Sequence, residues 1–240
     1  MIYQLNKFNI LFLDIETVPA YTDYSALPEK LKELWTKKMT YSSEKENLDA
    51  SELYSRAGIY AEFGKIICIS VGFFYSKSGK TKFRIKSFYE DQENQLIKGF
   101  NALLDHSFYS NDHYLCGHNA KEFDFPYIAR RALINGLRLP SLLDIAGSKP
   151  WEIKHLDTME LWKFGDYKHY TSLALLAEIF NIPSPKDDID GSDVGRVYWE
   201  EKNLKRIVEY CQKDVLTVAQ LFLRYRGEAL IDMEDVEIVD

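Results

Sequence analysis

The chain has 240 residues, 46% hydrophobic and 14% aromatic, a composition that excludes a disordered polymer and is sufficient for one large domain, or one domain carrying an insertion; a single domain is expected. No run of 18 apolar residues occurs and the N-terminus lacks the pattern of a cleaved leader, so a soluble cytoplasmic protein without a membrane partner is expected. The net charge of −7 does not announce a nucleic-acid binder that works through overall basicity, although a carboxylate-rich metal site would itself add negative charge. Cys68, Cys116 and Cys211 are odd in number, far apart and set in apolar runs, which supports neither a disulfide framework nor a zinc site; they read as reduced core residues.

In chain order, residues 9–18 form a short apolar, β-rich run with two acids near its end and Pro19 closing it, the pattern of a buried strand. Residues 21–63 turn polar and helical, with Leu27, Leu31, Leu34 and Trp35 on one face, and read as a helical insertion after the first strand. Residues 65–75, the turn at Gly79 and residues 81–88 read as a β-hairpin. A helix over 91–104, a short strand over 113–118 and a helix over about 123–135 follow, the last with Pro126 in its first turn and Gly136 at its end. Residues 153–157 read as a strand and 171–180 as a helix with Thr171 as a possible N-cap. A polar loop holds Pro183, Pro185 and the acidic run 187–193, and a long helix over about 203–226 carries an apolar stripe through Leu204, Ile207, Cys211, Val215 and Phe222. The acidic tail from about 228 to 240 is expected to be loosely held. This order of strands and helices gives an α/β fold with a mixed sheet and helices against it.

Three groups of residues stand out. Asp14 and Glu16 are two apart on one strand and share a face, where two like charges repel unless a hard, oxygen-seeking cation such as Mg²⁺ or Mn²⁺ lies between them. The plainer alternative is a strand end at which both acids meet water. Asp124 lies where a strand turns into a helix, and an acid in any first turn is favoured by the helix dipole. Tyr210 and Asp214 are four apart on the last helix, one turn above the other beside the apolar stripe; taken alone they read as packing and a surface ion pair.

In combination and in this order, Asp14-Ile-Glu16-Thr17, Asn119 through Phe123-Asp124 and Tyr210-x-x-x-Asp214 resemble the three motifs of the DEDD exonucleases of the ribonuclease H-like superfamily. The resemblance is to the proofreading domain of family B DNA polymerases and its freestanding bacterial relatives, and spans residues 9–226. The tyrosine branch of that family has Tyr four residues before the last Asp, as Tyr210 stands, whereas the position of the histidine branch is occupied by Glu209. Residues 186–194 also resemble the loop before the third motif in the freestanding relatives.

The resemblance implies a ribonuclease H-like mixed sheet flanked by helices and a metal-dependent 3′-to-5′ exonuclease. Asp14, Glu16, Asp124 and Asp214 would hold two divalent cations, Mg²⁺ or Mn²⁺, with Asp14 shared between them, and Tyr210 would orient the attacking water. Thr17, Asn119 and Phe123 would meet the terminal nucleotide, though Phe123 equally fits plain core packing. The expected substrate is single-stranded DNA with a free 3′ end; RNA is the alternative within the same chemistry, and a non-catalytic nucleic-acid-binding or adaptor module the alternative from another class. A polymerase or repair protein is a further expected partner, because no polymerase-like region follows the third motif and proofreading in cis is not expected.

Smaller expectations concern charged and imidazole side chains. Lys82, Arg84 and Lys86 share one strand face and form a row that tracks phosphates or guards a sheet edge. Arg130, Arg131, Lys168 and His169 read as solvated surface, and His118 and His155 as core or hydrogen-bonded histidines. The insertion has the length to overhang the site and grip substrate, or to bind a partner.

Overall fold

A computed structural model describes residues 2–166, 170–183 and 189–239. Its centre is a six-stranded sheet in the order β5-β4-β1-β2-β3-β6, built from β1 (Ile10–Pro19), β2 (Gly64–Lys77), β3 (Lys80–Tyr89), β4 (Tyr114–Gly117), β5 (Leu156–Asp157) and β6 (Val236–Val239). The β1–β2 and β2–β3 ladders are antiparallel, whereas β1–β4, β4–β5 and β3–β6 are parallel, so β2 alone runs against the others. This is the mixed sheet with helices on both faces that the sequence leads one to expect.

The alternation of β1 decides what each face meets. Leu11, Leu13 and Ile15 point into a core closed by α2 (Glu93–Ser107) and α3 (Asp124–Ile134), with Phe100, Phe125 and Tyr127 fully buried there. Ile10 and Phe12 point the other way, into a core closed by α7 (Leu204–Tyr225); the Phe12 ring meets Phe74 at 5.6 Å and Phe222 at 5.5 Å. Asp14 and Glu16 continue that second row, so the period of two that buries Phe12 also aims both acids at α7.

The insertion contains α1 (Glu29–Glu46) and a 3-10 helix over residues 52–59, closed around Trp35, whose ring lies 5.1–5.8 Å from Tyr54, Tyr60 and Phe63. Leu27, Trp35 and Met39 are buried at four-residue spacing with Leu31 packed beside them. Leu34, expected on the same face, is 46% exposed because it lies one position off that spacing. The Tyr127 hydroxyl donates to Gly58 O at 2.7 Å, and a Cβ at Gly64 would stand 2.3 Å from that hydroxyl oxygen, so a side chain there would unseat the contact.

Several expectations are corrected. Arg131 is not solvated surface: with its side chain 11% exposed it pairs with the buried Glu93 and donates to Ala61 O at 2.8 Å, while Glu93 also accepts the Ile66 N–H at 2.7 Å. Lys168 and His169 lie outside the described residues, as do residues 186–188 of the loop, which include Asp187 and Asp188 of the acidic run. The tail is not loosely held, since β6 extends the sheet beside β3, with Asp235 buried and paired to Lys80 at 2.6 Å. Consequently β3 is not an edge, and its basic row is partly neutralised: Arg84 meets Glu237 at 3.0 Å and Lys82 meets it at 3.4 Å.

The strand expected over 153–157 is only Leu156–Asp157, and the helix expected over 171–180 is α5 (Leu173–Ile179), whose N-cap is Ser172 rather than Thr171, its hydroxyl accepting the Leu175 N–H at 3.3 Å. Two helices were not expected, α4 (Thr158–Lys163) and α6 (Val194–Trp199); at six residues each they are too short to display a periodic pattern. His155 is buried between Leu115 N and Leu142 O, and His118 lies between the Thr158 hydroxyl and Thr171 O, as expected of hydrogen-bonded histidines.

Candidate active site

The site forms where β1 passes the middle of α7. The register between β1 and β2 shifts between Glu16 and Thr17, an irregularity of the kind that re-aims side chains beside functional sites. Asp14, Tyr210 and Asp214 line one cavity of about 560 Å³, together with His118 at the end of β4 and Tyr170 and α5 opposite. Carboxylate oxygens of Asp14 and Glu16 and the Cys211 sulfur lie within 4.8 Å of one another. The turn spacing that brings Tyr210 and Asp214 to the cavity also buries Cys211 against β1, where its thiol donates to Asp14 O at 3.4 Å.

Asp124 reaches the site from the other side of the sheet. As the first residue of α3 it is 4% exposed, and its Oδ1 accepts the Ile15 N–H at 3.2 Å, between the two acids of β1. Local helix-dipole stabilisation, the plain explanation for an acid here, does not account for this reach across to another element.

The electrostatics are those of crowded acids. Burial, then the charges of Asp214 and Asp124, push the Asp14 carboxyl well above the usual carboxylate range; burial, then Asp14 and Asp214, do the same to Glu16. Asp124 is pushed up to about 7, first by burial and then by the charge of Asp157, against hydrogen bonds that favour its ionised form. Burial and the surrounding carboxylates also raise the Tyr210 phenol far above its ordinary value, so it stays protonated.

A divalent cation fits this donor set. Among the described residues, Asp14 Oδ2 is buried and meets no hydrogen-bond donor, although an isolated buried carboxylate oxygen is costly. The available ligands are carboxylate oxygens, which suit hard ions such as Mg²⁺ or Mn²⁺. Cys211 adds little, because burial raises its thiol and keeps it neutral.

The residues proposed to touch substrate are placed less uniformly. Thr17 is half-buried beside the Tyr127 phenol. Asn119 has a left-handed backbone, φ 61°, and a buried Oδ1 without a hydrogen-bond partner among the described residues. Phe123 packs on Tyr127, with ring centroids 5.2 Å apart, and on the α2–α3 core, so much of its surface is committed to the fold. Sequence reasoning passed over His118 as a cavity residue and Asp157 as a buried neighbour of Asp124. The available signal for Asp157 was an acid at the C-terminal end of a parallel strand, the side of such a sheet on which sites gather.

A family model described as a predicted 3′-5′ exonuclease related to the exonuclease domain of PolB matches residues 59–235, which include Asp124, Tyr210 and Asp214. Among solved structures, the family B DNA polymerase from the hyperthermophilic archaeon Pyrobaculum calidifontis aligns with a TM-score of 0.47 at 17% identity, covering 90% of this chain and 24% of the polymerase.

Proposed function

The chain belongs to the family of predicted 3′-5′ exonucleases related to the exonuclease domain of PolB, and on that premise we propose that it removes nucleotides from the 3′ end of single-stranded DNA by hydrolysis of the terminal phosphodiester bond. Asp14, Glu16, Asp124 and Asp214 would hold two divalent cations, Mg²⁺ or Mn²⁺. The observation that carries this reading is the partnerless Asp14 Oδ2 inside a group of buried acids, a concentration of like charge that a cation relieves. When bound, such ions acidify a water and stabilise the attacking and leaving oxygens of an in-line displacement at phosphorus.

The remaining roles belong to the chain. Tyr210, protonated throughout the neutral range, is a hydrogen-bonding group that orients the attacking water and not a base. Glu16, whose carboxylate lies within 4.8 Å of that of Asp14, assists. Asp124 is held by the Ile15 N–H, which fixes its carboxylate beside the two acids of β1. Thr17, Asn119 and Phe123 contact the terminal nucleotide. DNA is favoured over RNA by the family's relation to a DNA polymerase domain. A cytoplasmic location is supported by three buried, unpaired cysteines and by the absence, among the described residues, of any helix long and apolar enough to cross a membrane. A polymerase or repair protein that supplies the frayed 3′ end is the proposed partner.

The test is degradation of 3′- and 5′-labelled single-stranded DNA and RNA with Mg²⁺, Mn²⁺ or EDTA, with Asp14→Ala in parallel. A metal-dependent ladder shortening from the 3′ end of DNA, abolished in Asp14→Ala, is expected. Shortening of RNA alone changes the substrate, and inactivity on both polymers by a folded protein overturns the proposal.

A further inference from the structure

Asp157 ends β5 and is 2% exposed. Its Oδ1 accepts the N–H groups of Met159 at 2.9 Å and Glu160 at 3.2 Å, which caps α4, and also that of Asn119 at 3.0 Å. Its Oδ2 accepts the Lys121 N–H at 3.0 Å. Four backbone donors, three on Oδ1 and one on Oδ2, hold the carboxylate in place, and at 2% exposure it is turned inward to them rather than outward to nucleic acid. Capping alone needs one oxygen. Among the described residues the second oxygen serves the turn at 119–121.

That turn leads directly into the candidate site. Asn119 O accepts the N–H groups of Glu122 and Phe123, and Ala120 O accepts that of Phe125, so the position of the turn sets the start of α3 and with it Asp124. Asn119 itself has φ 61°, a left-handed conformation that asparagine adopts more readily than most side chains and that turns the chain here. Its Oδ1 is buried and unmatched among the described residues while its N–H is clamped by Asp157. The clasp joins residues about 38 positions apart and is independent of the Ile15 contact that holds Asp124 from the β1 side.

We propose that Asp157 is a positioning residue for the exonuclease reaction: its buried carboxylate clasps the 119–121 turn to β5 and so fixes where Asn119 and Asp124 stand, without touching cation or nucleic acid. The inference rests on the exonuclease reading of the site. Partners that orient metal ligands from behind are typically worth about 10–100-fold in affinity or activity, and that is the size of effect assigned to Asp157.

Two variants separate the clasp from the cap. Asp157→Asn is isosteric; with its oxygen kept on the three donors at Oδ1, its amide N–H₂ faces the Lys121 N–H and only that arm is lost. Asp157→Ser retains a capping oxygen but is too short to reach the turn. The measurements are kcat and KM for 3′-end removal per folded molecule, Mn²⁺ affinity of the protein alone, and deuterium exchange of the Lys121 amide. For both variants the expected result is a kcat lower by about 10–100-fold, weaker Mn²⁺ binding and faster exchange at Lys121. Values of kcat, KM and Mn²⁺ affinity within twofold of the parent, with only Tm lowered, would reduce Asp157 to a helix cap and overturn the proposal. An Asp157→Asn chain that does not fold would also overturn it, by showing that the Lys121 bond holds the fold and not the site. If the unsubstituted protein shortens neither DNA nor RNA, the exonuclease reading falls, and Mn²⁺ affinity still decides whether Asp157 positions the acidic site.

Discussion

The carboxylate of Asp124 accepts the backbone N–H of Ile15 at 3.2 Å, so the acid from α3 is fastened to β1 midway between Asp14 and Glu16. One side chain thereby joins the two sequence-distant halves of the site and carries a structural and a chemical role together. Substitution can divide them. Asp124→Asn keeps an acceptor for Ile15 and removes a buried charge, so it folds with a metal-free Tm equal to or above the parent's and loses about 100-fold or more in kcat. Asp124→Ala loses activity to the same degree and also leaves the Ile15 N–H unpaired, which costs about 1–3 kcal/mol in denaturant unfolding. Equal stabilities for the two variants would show that the Ile15 bond contributes nothing.

The same crowding makes stability depend on pH and metal. Asp14, Glu16 and Asp124 all have raised folded-state pKa values, that of Asp124 at about 7, so between roughly pH 4 and pH 7 the folded chain binds more protons than the unfolded one. Stability from this source is present at low pH and falls as pH rises through that window. The metal-free protein is therefore expected to show a lower Tm at pH 8 than at pH 5.5, and Mg²⁺ or Mn²⁺ to recover much of the difference at pH 8. A Tm in EDTA that rises from pH 5.5 to 8 would contradict the electrostatics described.

Tyr210→Phe removes the hydroxyl and leaves every carboxylate in place. A fall in kcat of about 10–100-fold is expected, within the range for a positioned group in proton-transfer chemistry, with Mn²⁺ affinity measured by calorimetry unchanged. Because the phenol is raised far above its ordinary value, no basic limb from Tyr210 is expected in the pH profile of the parent below about pH 10. Loss of Mn²⁺ binding in this variant would move Tyr210 from orienting water to maintaining the metal site.

Glu237 faces Lys82 and Arg84 across the β3–β6 ladder. Truncation after Asp232 removes β6, exposes β3 as a sheet edge and frees its basic row. The expected outcome is a lower Tm and concentration-dependent association in ultracentrifugation, since an unpaired strand invites pairing with another copy. The site lies on the opposite side of β2, so kcat of the remaining folded monomer should stay within about twofold. A truncated chain with unchanged Tm and mass would show that β6 is dispensable to the sheet.

Much of this protein was determined by local sequence. The apolar run before Asp14, the hairpin around Gly79 and the stripe of α7 each encode their element because burial imposes a period of two or 3.6 on the residues themselves. The same periodicities aimed Asp14 and Glu16 at one face, and Tyr210 and Asp214 at one side of a helix. What no local pattern holds was decided by tertiary structure. Arg131 reads as a surface cation until Glu93 comes to it from α2; the tail reads as loose until β3 offers it a ladder; Asp157 reads only as the last residue of a short strand until four N–H groups from two segments close around it. The physical reason is common to all three. A charge or a strand edge is satisfied by whichever partner the fold brings within about 3 Å, and that partner lies tens to more than a hundred residues away in the chain, beyond the reach of any periodic pattern.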